Sequence, residues 1–145
     1  MDQREIQEKL ARYQILDSRV KALINRRDLL LTKMLEIETT LNSVEEVKKS
    51  KGQEIFLPLG SNVHVPGTLK KINKMIVELG ANIAIETTSE KTKDILEGRK
   101  KELENGLKVV ENEMMVLNNE LMRLRPEIQT LLEKARSQTT EPEAG

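Results

Sequence analysis

Residues 54–86 read EIFLPLGSNVHVPGTLKKINKMIVELGANIAIE, and this stretch decides the fold. Within it and just past its end, IFLPL (55–59), NVHVPGTL (62–69), KMIVEL (74–79) and NIAIET (82–87) are short β-branched or aliphatic runs. They are broken by Leu59-Gly60-Ser61-Asn62 and by Gly80-Ala81-Asn82. Small residues between short apolar runs signal tight turns, so the reading is two β-hairpins. Alternation is clearest at Ile55, Leu57 and Leu59 and again at Val63 and Val65. Pro58 and Pro66 cannot donate to a ladder and belong on edges or bulges. An isolated hairpin is marginal in water. Two small ones need strands or a covering surface from elsewhere.

On either side the period changes from two to that of a helix. From Arg4 to Lys49 there is no Gly or Pro, and apolar residues recur every seven. One seam runs through Tyr13, Val20, Arg27, Met34 and Leu41, the other through Leu16, Leu23, Leu30, Ile37 and Val44. That spacing predicts a coiled-coil strand. The second strand is expected from an N-cap near Ser89 to about Ser137. Its seams are Leu96, Leu103, Val110, Leu117, Leu124 and Leu131, interleaved with Lys100, Leu107, Met114, Leu121, Ile128 and Ala135. Pro126 should kink or restart this helix. The expected organisation is 1–50 first coil helix, 51–88 two hairpins forming an oligomerisation body, 89–137 second coil helix and 138–145 disordered tail.

Two helices of similar length joined by about 40 residues favour an antiparallel pair. The predicted fold class is α+β, a long antiparallel coiled-coil hairpin with two β-hairpins at the end opposite the termini. Matching the seams sets Leu41 against Leu96, Met34 against Leu103, Leu30 against Leu107, Val20 against Leu117 and Tyr13 against Leu124. In that register Arg27 lies beside Val110 and Glu111, and Lys100 lies opposite Ile37 between Glu36 and Glu38. Both cations are read as snorkelling side chains that fix alignment. Leu10, Ile24, Leu31, Met115, Met122 and Leu132 lie one residue past seam positions, and Ile15, Leu29, Val109 and Val116 widen the apolar stripe further. Either extra helices cover this surface, or it is an adaptable surface for changing ligands.

Composition narrows the function. Of 145 residues, 24 are Lys or Arg and 24 are Asp or Glu, while Tyr13 and Phe56 are the only aromatics. Charge at 33% exceeds the roughly 25% of average chains and fits long helices. An elongated chain buries less of itself than a sphere, so oligomerisation is expected. The signs interleave and base-stacking aromatics are missing, which argues against nucleic acid as a partner. There is no cysteine for a disulfide or a Cys-ligated metal. No apolar run approaches the 20 or so residues of a membrane span. Arg4, Glu5, Glu8, Lys9 and Arg12 interrupt any signal-peptide pattern, leaving a cytoplasmic location as the expectation and no membrane partner. His64, the single histidine, lies in a predicted strand without a base or nucleophile beside it. Carboxylates on solvated helix faces lack the paired, buried setting of acid and base catalysis. The glycines do not form a phosphate-cradling motif. No catalytic residue, metal site or cofactor is expected.

The segments LPLGSNVHVPGTL (57–69) and MIVELGANIAIE (75–86), with the later MRLRPEIQTLLEKAR (122–136), resemble the alpha class of the prefoldin family, especially its archaeal type. Two hairpins match the alpha class, since the beta class has one. The resemblance implies alpha–alpha self-association through the hairpins and recruitment of beta subunits into an alpha2beta4 heterohexamer with a double β-barrel body. It also implies an ATP-independent chaperone that holds unfolded polypeptides at coil tips and passes them to a group II chaperonin. Carried onto this chain, assembly contacts fall on Leu57, Leu59, Val63, Val65, Val77, Ile83 and Ile85. Client contacts fall on Ile6, Leu10, Tyr13, Ile128, Leu131 and Leu132. The alternative is a prefoldin-like structural protein that forms a homo-oligomer or filament without client transfer.

Overall fold

The computed structural model describes residues 2–50, 52–72 and 74–139. The order is α1 (Asp2–Lys49), β1 (Glu54–Gly60), β2 (Val63–Thr68), β3 (Met75–Gly80), β4 (Ile83–Thr87) and α2 (Ser89–Thr139). This is the α+β coiled-coil hairpin fold. The strands form two separate antiparallel pairs, β1 with β2 and β3 with β4. Contacts divide the chain into two compact units, residues 32–104 and the remainder.

In the unit formed by 32–104, both hairpins turn by one device. Ser61 and Asn62 have φ of 48° and 64°, and Ala81 and Asn82 have φ of 49° and 61°. Positive φ at both loop residues defines a type I′ turn, whose twist matches that of the strands. Gly60 and Gly80 precede these loops at φ of 108° and 102°, where a side chain would be strained. The ladder slips between Pro58 and Gly60 and again between Glu78 and Gly80. Leu59 and Leu79 are thereby left without cross-strand partners. Pro58 therefore stands beside a bulge, as a residue without an amide proton requires.

The helical parts of this unit meet along buried Val44, Leu96 and Thr92. Lys100 donates to Glu38 at 2.8 Å and Lys48 to Glu90 at 2.9 Å, while Lys93 pairs with Glu45. Numbers rising along α1 as they fall along α2 make the pair antiparallel. Arg99 donates to the Glu78 carbonyl at 2.7 Å and ties β3 to α2. The N-cap of α2 is Thr88 rather than Ser89: its hydroxyl accepts the Lys91 amide at 3.2 Å. Either hydroxyl suits the role, and the chain geometry leaving β4 selects the earlier one.

In the other unit, Leu16, Val20 and Leu121 form a cluster joined by Tyr13, Leu117 and Leu124, and Leu23, Val110 and Met114 form a second joined by Leu30. The pairs Val20 with Leu117 and Tyr13 with Leu124 thus share one cluster, as the seam register requires. Half-buried Arg27 lines a shallow hollow together with Glu111 and Met114, as the register expects, and its guanidinium also stands 3.6 Å from neighbouring Asp28. Helix α2 continues through Pro126 to Thr139 instead of restarting. Pro126 and Met122, whose carbonyl loses its donor, are both exposed, so water can satisfy that carbonyl while Leu124 and Ile128 stay on the seam side. Residues 138 and 139, expected in the tail, are helical, and 140–145 lie outside the described residues.

Opposite charges across the pair shift titration in directions with a stability consequence. Glu38 is held below its ordinary 4.5 by the hydrogen bond and charge of Lys100. Glu90 is lowered by the hydrogen bond from Lys48 and by bonds at its own helix start. A carboxylate lowered in the folded state adds stability above its unfolded value, and the gain disappears as pH falls through the folded one. Glu38→Gln is therefore expected to lower the melting temperature slightly at about pH 7 and not at about pH 3, because exposed pairs are screened. Thermal melts at both pH values check this.

Candidate functional site

The hairpins present apolar side chains on both faces. Leu57 lies opposite Val65, and Val77 opposite Ile85, each pair on one side of its ribbon. Val77 is buried and Ile85 half-buried, so this pair already has cover within its unit. Leu57, Leu59, Val63, Val65 and Ile83 are exposed. Three residues outside the expected set are exposed as well, Phe56 at 67%, Ile76 at 71% and Leu79 at 50%, the first two among the barest on the hairpins. The signal for Phe56 and Ile76 was the continuity of Ile55-Phe56-Leu57 and Met75-Ile76-Val77. Unbroken apolar runs mark strands destined for cover on both faces, whereas alternation picks out one. Exposed apolar edges of this kind are aggregation-prone unless another chain completes them.

The six expected client-contact residues separate by burial. Ile6 and Ile128 are 8% and 7% exposed, Leu131 is half-buried, and Leu10 and Leu132 are 38% and 40% exposed. Tyr13 is half-buried; Arg125 donates to its hydroxyl at 2.9 Å and lies 6.0 Å from its ring centre. Arg125 is correspondingly pushed above its ordinary value, first by that hydrogen bond. The ring and hydroxyl are thus engaged within the chain. Lys9 joins Glu127 at 2.8 Å across the same stretch, and that hydrogen bond raises its pKa.

Further along the coil, Ile15, Leu29, Val109 and Val116 are all exposed, as are Met115 and Met122. Among the described residues no group of His, Asp and Glu is arranged to hold a metal, and no helix is long and apolar enough to cross a membrane.

Residues 16–134 match the family model described as Prefoldin subunit. The chain belongs to the prefoldin family. It is 32% identical over 98 residues to Prefoldin subunit alpha of Pyrococcus horikoshii, a match spanning 66% of each chain. Among solved structures, the cryo-EM structure of filamentous PFD from Methanocaldococcus jannaschii superposes with a TM-score of 0.65 at 24% identity, covering 83% of this chain and 98% of that one. The prefoldin beta subunit from Thermococcus strain KS-1 superposes at 0.59 with 16% identity, covering 87% and 90%. These two likenesses speak for the fold. As a prefoldin, the chain is a chaperone-type subunit that assembles with other prefoldin subunits.

Proposed function

We propose that this chain is the alpha-type subunit of an alpha2beta4 prefoldin that works in the cytoplasm, without ATP, by holding non-native polypeptides and passing them to a group II chaperonin. The observation that carries the reading is the coexistence of two apolar surfaces. The hairpin residues Leu57, Leu59, Val63, Val65 and Ile83 join alpha to alpha and to beta, with Phe56, Ile76 and Leu79 added to them. The coil keeps further aliphatic side chains in water although its own seam is already filled. Within the terminal coil, capture falls on Leu10 and Leu132 with part of Leu131, because Ile6 and Ile128 spend their surface on the seam. Several weak contacts of this kind combine by avidity once the subunits hold their coils together.

The test is reconstitution with a beta-type prefoldin subunit, followed by light scattering of a chemically unfolded client diluted without nucleotide. Leu10→Ser combined with Leu132→Ser is expected to cut protection at least about twofold while leaving the assembly mass unchanged. Full protection by the double variant would rule out capture at these residues. The likeness to filamentous PFD from Methanocaldococcus jannaschii motivates the second reading, a structural homo-oligomer or filament. Native mass without any beta subunit separates the two, since an open series of masses favours the filament.

A further inference from the structure

A groove in the unit of the terminal coil segments follows two ion pairs spaced one heptad apart. Arg12 donates to Glu120 at 2.7 and 3.1 Å, and one heptad on, Arg19 donates to Glu113 at 2.8 and 3.0 Å. One heptad further the positions are Arg26 and Gly106. The third rung has its cation and lacks its anion. The Arg26 side chain makes no ion pair or hydrogen bond among the described residues.

Beside that missing rung lies a hollow of about 700 Å³. Leu23 and Val110 belong to its floor, at 2% and 3% exposed, and Leu29 and Val109 stand on its rim at 55% and 66%. Arg26 and Gly106 both line it. Its size falls in the range of ligand-binding clefts. The glycine is not demanded by packing: a Cβ there would meet Leu30 only at 3.8 and 4.0 Å, ordinary contact, and the backbone is helical. Glycine inside a helix costs roughly 1 kcal/mol relative to alanine. What it does locally is leave the groove open and Arg26 unanswered.

We infer that this groove is a docking site for an aliphatic polypeptide segment carrying a carboxylate, whose acid replaces the missing rung while its apolar side chains cover Leu29 and Val109. Charge complementarity selects this occupant: of the charged residues lining the groove, Arg19 and Glu113 neutralise one another, so Arg26 calls for an anion beside apolar contact. A carboxylate–guanidinium pair is directional, and apolar side chains of the docked segment closing over Leu29 and Val109 strengthen it. The inference rests on the capture reading above and adds a chemical preference to it. Capture at Leu10 and Leu132 alone would carry none.

Two variants test it on the reconstituted complex. Gly106→Glu restores an acid to the third rung and fills the hollow, and Arg26→Gln removes the cation. The probes are a fluorescently labelled peptide of aliphatic residues around one glutamate and its glutamine twin, read by anisotropy. The wild type is expected to bind the glutamate peptide roughly threefold more tightly. Arg26→Gln should erase that ratio, and Gly106→Glu should erase it and weaken both peptides while raising the melting temperature by a few degrees, which excludes misfolding as the cause. Equal affinity of the wild type for both peptides, or either variant binding as the wild type does, would overturn the inference. So would concentration-dependent loss of the groove to a second copy of the complex. Client aggregation followed in parallel separates the readings: protection without the peptide preference sinks the groove alone, and the preference without protection sinks general capture.

Discussion

Replacing Leu57 and Val65 together by aspartate is expected to abolish assembly while both helices stay folded. The two side chains face each other across the first ribbon and are 51% and 41% exposed in the single chain, so neither holds its own subunit together. In an assembled body they would be covered by strands of neighbouring subunits. Two carboxylates placed there would each lose water without a partner, at several kcal/mol apiece, and would repel one another across the ladder. A hairpin that is marginal alone cannot offset that. Native mass spectrometry after mixing with a beta-type subunit should show separate chains, with circular dichroism retaining the helical signal. An assembled mass equal to that of the wild type would place the assembly surface elsewhere on the hairpins.

The second large effect concerns the seam. Leu23 is the least exposed residue of the coil and packs with Val110 and Met114. Leu23→Ala should destabilise by about 2–4 kcal/mol, because the transfer energy of the lost methyl groups adds to a cavity that two facing helices close only in part. For a chain of this size that is a fall of roughly 6–12 °C in melting temperature. Leu29→Ala removes the same atoms from an exposed position on the same helix and should change stability by no more than about 0.5 kcal/mol. Paired thermal melts give the contrast directly, and equal losses would mean that Leu29 is covered in the folded assembly.

That contrast shows where sequence reading stops. Leu23 and Leu29 are the same residue type in the same unbroken heptad pattern, and seam spacing does assign Leu23 to the interior. Spacing cannot tell what happens to Leu29, Val109 or Ile15, because a wide apolar stripe suits both a bundle and an open surface. Client residues suffered in the same way. Ile6 and Ile128 are apolar and near the termini, yet they spend their surface on each helix's own seam, while Leu10 and Leu132 do not. The hairpin list followed one alternating face and so missed Phe56 and Ile76, which continuous apolar runs had marked. The missing rung at Arg26 becomes visible only after Arg12 with Glu120 and Arg19 with Glu113 establish which face the ladder occupies.

What the sequence determined by itself is whatever follows from local backbone geometry. Heptad spacing made the two helices and their antiparallel register, and Gly-Ser-Asn and Gly-Ala-Asn marked the turns, since left-handed backbone favours the Gly and Asn that bracket each of them. The choice of Thr88 over Ser89 as cap, the passage of α2 through Pro126 and the division of one apolar stripe into buried seam and open groove were decided only in the tertiary structure. Burial belongs to a pair of surfaces, and a single strand of sequence carries only one member of each pair.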